Sequence, residues 1–187
     1  VFTGQATDVL AGGVGLAGVK VTVRDASGTS LQTPTTDSQG IYTTEVTGTK
    51  DDTFILEATH VGFAPHINTV VVQSDSMVVP FPLSLAVVGV VRDAGGQPVE
   101  NAIVSTVGGT AEGSVATGLD GSYVLTLKQD AGGDTILVVA SGFFSGRQWV
   151  PFSRTAENRA DIELLRVNDP IPQVSPQELV IGLVSDQ

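Results

Sequence analysis

Ala116-Thr117-Gly118-Leu119-Asp120-Gly121-Ser122-Tyr123 runs directly into Val124-Leu125-Thr126-Leu127. An aspartate followed by glycine makes a tight turn, because the carboxylate bonds the backbone two residues on and glycine supplies a positive φ. Tyr123 then starts an extended segment with its ring on one fixed face. The same signal occurs earlier, as Thr36-Asp37-Ser38-Gln39-Gly40-Ile41-Tyr42. Upstream of it, Val19, Val21 and Val23 alternate with Lys20, Thr22 and Arg24, the period of a half-buried strand.

Working in both directions from these turns gives a repeat. Val87-Val88-Gly89-Val90-Val91-Arg92-Asp93 opens the second copy, followed by the turn Ala94-Gly95-Gly96-Gln97-Pro98 and the strand Ala102-Ile103-Val104-Ser105-Thr106-Val107. Phe2-Thr3-Gly4-Gln5-Ala6-Thr7-Asp8 opens the first copy, where residues 9–18 form a longer stretch without proline. Val61-Gly62-Phe63 corresponds to Ser141-Gly142-Phe143. The spacing between equivalent glycines drifts only slightly, from Gly4/Gly89 to Gly40/Gly121 to Gly62/Gly142, as loop-length changes within one fold would make it. The expected organisation is a β-sandwich module over 1–86, a second over 87–167, and a linker with an extra apolar strand over 168–187. The fold class is all-β, as two tandem Ig-like Greek-key sandwiches plus that C-terminal strand.

Composition agrees. Of 187 residues, 41% are hydrophobic and only 16% charged, with 22 glycines and abundant valine and threonine, which favour strands over helices. Nine basic against 20 acidic residues give a net charge of −11, which repels polyanions, so neither nucleic acid nor an anionic membrane surface is an expected partner. There is no cysteine, which excludes disulfides and thiolate chemistry. No apolar run is long enough to span a membrane. A start at Val1 reads as a processed or excised product, with any signal peptide or anchor outside it.

Residues 87–167 resemble the carboxypeptidase regulatory-like domain, a transthyretin-like sandwich, at Gly89, Asp93, Gly96, Pro98, Ala102, Val104, Thr117, Asp120, Gly121, Tyr123 and Gly142-Phe143. The resemblance implies a fold built on turns and core positions, without an activity of its own. The first copy is also similar to B-type repeats of surface adhesins at Phe54-Ile55-Leu56-Glu57. That similarity implies a Lys–Asn isopeptide assisted by the Glu, but Phe2 to Thr7 contains no Lys, and Lys20 lies on the next strand.

Candidate chemistry is sparse. Gly13-Val14-Gly15-Leu16-Ala17-Gly18 spells a dinucleotide fingerprint, but an alternating strand follows where a helix is required, so it reads as an inserted loop. His60 and His66 with Glu57 offer zinc-type ligands, yet the second copy has Ala140 and Arg147 in the neighbouring places. Asp51, Asp52, Asp130 and Asp134 read as equivalent loop carboxylates and are the candidate Ca2+ ligands; no other cofactor is expected. Trp149, near Phe143, Phe144 and Phe152, is the one aromatic cluster suited to sugar stacking, although such a cluster is more often a core or interdomain packing patch. No nucleophile–base constellation exists, so no enzyme is expected.

Leu179, Val180, Ile181, Leu183 and Val184 are apolar on both faces, as a fully buried strand would be. They are the candidate assembly residues, either donated to another subunit or opening a further domain. The expected function is a structural or adhesive module of an extracellular or cell-surface protein. Its partners would be other copies, by self-association, or neighbouring domains of the same protein. The rival is a carbohydrate- or protein-binding accessory module of a larger secreted enzyme.

Overall fold

A computed structural model describes residues 1–168, and every regular element among them is a strand. The first half contains β1 (Phe2–Asp8), β2 (Val14–Gly15), β3 (Lys20–Asp25), β4 (Ser30–Gln32), β5 (Ile41–Thr44), β6 (Thr53–Thr59), β7 (His66–Val71), β8 (Met77–Val78) and β9 (Phe81–Leu83). The second contains β10 (Ala86–Asp93), β11 (Ile103–Thr106), β12 (Val115–Ala116), β13 (Ser122–Thr126), β14 (Gly133–Val139), β15 (Gly146–Pro151) and β16 (Ile162–Leu164).

Each half forms two sheets. In the first, β1 is flanked by β2, β5, β8 and β9, and the other sheet runs β4-β3-β6-β7. In the second, β13-β10-β16 faces β12-β11-β14-β15. Period-two burial lines the space between the sheets: Phe2, Gly4, Ala6 and Asp8 point inward from β1, and Phe54, Leu56 and Ala58 from β6. Val19, Val21 and Val23 are fully buried, as their alternation predicts. Residues 13–18 differ from the loop expectation. Val14–Gly15 returns to pair with Thr7 and Asp8, and Gly15 is required because a Cβ there would collide with the Gln39 carbonyl.

The repeat persists at atomic level. Thr36 Oγ1 accepts from Val19 N and donates to the Leu16 carbonyl, and Thr117 Oγ1 does the same between Ala102 N and the Val99 carbonyl. Tyr42 Oη donates to the Val79 carbonyl at 2.8 Å and Tyr123 Oη to the Ala160 carbonyl at 2.7 Å. Burial pushes both phenols well above their ordinary pKa, so they stay neutral donors. Tyr42→Phe and Tyr123→Phe should each cost about 1–3 kcal/mol, because a buried carbonyl loses its partner. Urea titrations check this: the midpoint should fall with the slope unchanged.

Candidate functional site

The two halves meet at a built joint. Only Ser84 and Leu85 separate β9 from β10, and Leu85 and Ala86 are buried. Ala86 N donates to the Gly62 carbonyl at 3.0 Å, Ala64 N to Ser84 O at 2.9 Å, and Leu127 N to Leu85 O at 2.8 Å. Gly62 has φ +82°, and a Cβ there would meet the Ser153 and Ala156 carbonyls at 2.7 and 2.8 Å, so the turn in the first half and the loop from the second fit only around glycine.

Asn158 is the hub of the joint. The residue is 1% exposed, and its Nδ2 lies 3.1 Å from each of the Gly62, Ala86 and Ser153 carbonyls. Its Oδ1 accepts from Ser153 N at 2.6 Å. Two N–H bonds therefore serve three oxygens, one in the β6–β7 turn of the first half, one at the start of β10 and one in the second half's own loop. Four residues away, Arg154 Nε donates to Asp8 Oδ2 at 2.6 Å, and its Nη1 to Asp130. The Asp8 side chain is 2% exposed, and its other oxygen accepts from Leu10 N and Ala11 N. A carboxylate this buried needs its cation, and Arg154 reaches it from the opposite half.

Electrostatics follow the same fixed geometry. Gly132 N, then Arg154, hold the Asp130 carboxyl below the ordinary 3.8. Arg159 does so for Asp161, and Arg166 for Asp93. For Asp134, burial raises the pKa, but bonds from Gly108 N, Thr110 and Thr135 N lower it further. Each folded value lies below the unfolded one, so the stabilisation is present above about pH 4 and is lost as pH falls through the folded values. The melting temperature should be level from neutral pH to about pH 5 and drop steeply below about pH 4. Calorimetry across that range checks it.

The candidate Ca2+ carboxylates do not converge. Asp52 accepts from Thr49 N at 2.6 Å, Asp51 occupies its turn at φ +72°, and Asp130 faces Arg154. Asp134 is not in a loop. It lies on β14 opposite Val150, the place Phe54 holds opposite Val70, and its buried carboxylate ties down Gly108 and Thr110. Among the described residues no three His, Asp or Glu side chains gather as a metal centre would require. Glu57 is engaged by Arg24 at 2.7 Å, while His60 and His66 sit edge-on to Phe63 and Phe81. Trp149 is 61% exposed over Gly133, and Phe143 carries the Arg166 guanidinium 4.9 Å from its centroid. Leu179, Val180, Ile181, Leu183 and Val184 lie outside the described residues. Among the described residues, the side chains of this joint hold backbone in place.

The chain matches no family model and no curated protein sequence. Among solved structures it is similar to the Bacillus anthracis TIE protein, with TM-score 0.39 and 11% identity over 88% of this chain and 33% of that one. It is also similar to the shaft pilin SpaA of Lactobacillus rhamnosus GG, with TM-score 0.36 and 14% identity over 91% and 98% of the two chains. The minor pilin GBS52 of Streptococcus agalactiae gives TM-score 0.34 and 13% identity over 91% and 97%. This chain thus spans about a third of the TIE protein structure.

Proposed function

We propose that the chain is a non-enzymatic structural or adhesive part of an extracellular or cell-surface protein, in which 1–86 and 87–167 are two sandwich modules set end to end in a fixed array. The resemblance of 87–167 to carboxypeptidase regulatory-like domains belongs to this reading. The observation that carries it is the joint: a buried carboxamide and a two-pronged arginine spanning two halves are of use only where relative orientation matters. Partners are then neighbouring modules of the same protein or further copies. Small-angle scattering tests the reading, since a fixed array gives one elongated particle and a loose tether gives a broad ensemble. Self-association through residues 179–184 is part of the same proposal, and electron microscopy of the chain with and without 173–187 tests it.

Exposed Trp149 favours one rival, a carbohydrate-binding accessory module. It is the sole tryptophan, so its fluorescence reports binding directly. A saturable change on titration with oligosaccharides would favour that rival.

A further inference from the structure

In each half, the first strand and the last run parallel and side by side. Phe2 and Thr3 lie beside Met77 and Val78, and Ala6, Thr7 and Asp8 beside Phe81, Pro82 and Leu83. Val91, Arg92 and Asp93 lie beside Ile162, Glu163 and Leu164, with a further parallel bridge from Val88 to Arg159. The bonds joining the strands are short and regular. Val79 N donates to Thr3 O at 2.8 Å and Val9 N to Leu83 O at 2.9 Å. In the second half Val88 N donates to Asn158 O at 2.8 Å and Ala160 N to Val88 O at 2.9 Å. The Asp161 carboxylate extends that ladder by accepting from Val90 N at 2.9 Å.

The direction of these pairs has a mechanical consequence. The chain enters each half at the start of one strand and leaves at the end of its parallel neighbour. Tension between entry and exit therefore draws the two strands in opposite directions along a common axis. All the bonds between them are loaded together in shear, rather than broken one after another as in a hairpin opened from its free end. We infer that the chain is a tension-bearing element, with its resistance in β1 against β8–β9 and in β10 against β16. The tyrosine hydroxyls reinforce this by latching the segment that leads into the last strand of each half, at Val79 and Ala160. Force also passes between the halves with little slack, because β9 hands over to β10 through two residues. This rests on the structural-module reading above for its use, but the directional resistance belongs to the topology itself.

Optical-tweezer measurements on the full chain test the inference. The chain has no cysteine, so introduced thiols place the handles uniquely. Val1→Cys with Asn168→Cys loads the parallel pairs in shear, while Ala131→Cys with Pro151→Cys peels β15 from β14 at the open end of that hairpin. Forced unfolding reads the unfolding barrier along each direction. The end-to-end force should be several-fold the peeling force; equal or lower end-to-end forces would overturn the inference. Asp161→Ala, at a side chain 54% exposed, removes the acceptor for Val90 N without disturbing the core. It should lower the end-to-end force of one of the two unfolding events and leave the peeling force unchanged. An unaltered end-to-end force would remove the assignment to β10 and β16. Scattering that revealed a bending joint would sink the fixed array while leaving these forces as they are, so the two failures are distinguishable.

Discussion

Gly89→Ala is expected to unfold the second half of the chain at moderate urea, at a cost above about 4 kcal/mol. An ideal Cβ at Gly89 would lie deep inside contact distance of the Ala160 carbonyl oxygen, 2.7 Å from its carbon and 2.8 Å from Tyr123 Oη. None of these can yield cheaply. The carbonyl belongs to the segment leading into β16 and accepts the tyrosine hydroxyl, and Ala160 N is bonded to Val88 O one residue from the glycine. Moving it would break the parallel pairing and the phenol bond together. Gly4→Ala should behave alike in the first half, where the Val79 carbonyl and Tyr42 Cε1 occupy the same space. A domain's stability is only about 5–15 kcal/mol, so either change removes a large share. Gly113→Ala is the control, since nothing lies within 4 Å of a Cβ there, and it should stay within about 0.5 kcal/mol of wild type. Denaturation of Gly89→Ala indistinguishable from that control would refute this account of the glycine.

Those glycines also show how far the sequence could be read. Gly4 and Gly89 stand out as landmarks of the repeat, but the tyrosine and carbonyl that require them come from positions far along the chain. The turns were legible in full, because their interactions are local. Asp37 Oδ1 accepts from Gln39 N and Ile41 N, Asp120 Oδ1 from Ser122 N, and Gly40 and Gly121 have φ near +78°, at +79° and +77°. Asp134 was misplaced for a related reason. Ala131-Gly132-Gly133-Asp134 has the composition of a turn, and only the ladder shows its last two residues inside a strand, with a carboxylate where the first copy buries Phe54.

The joint left no trace at the level of pattern. Asn158 bonds residues 96 and 72 positions away, and Arg154 one 146 positions away. In the sequence they are two polar residues in an ordinary loop. The first copy has Ser74 and Met77 in the corresponding places, so comparing the copies marks this loop as different without saying what it holds.

Asn158→Ala should therefore act on the coupling between the halves more than on either half alone. In the wild-type chain one buried cluster runs through Phe63, Leu85 and Val87 from the first core to the second, so a single cooperative melt is expected. Removing the carboxamide takes the acceptor from Ser153 N and a donor from the buried Gly62 and Ala86 carbonyls and the partly buried Ser153 carbonyl, while leaving a small polar void. Water entering there restores part of the bonding, so the net loss is about 3 kcal/mol rather than the sum of the separate bonds. That loss is concentrated where the halves touch, and neither sandwich core loses a side chain. Calorimetry should then resolve two transitions, and scattering should change from one particle shape to an ensemble. Asn158→Asp should go further, because a carboxylate oxygen would face the three carbonyls that now share two N–H bonds. A single unshifted transition in Asn158→Ala, with scattering identical to wild type, would mean that Leu85, Ala86 and the Arg154–Asp8 pair fix the joint without the carboxamide.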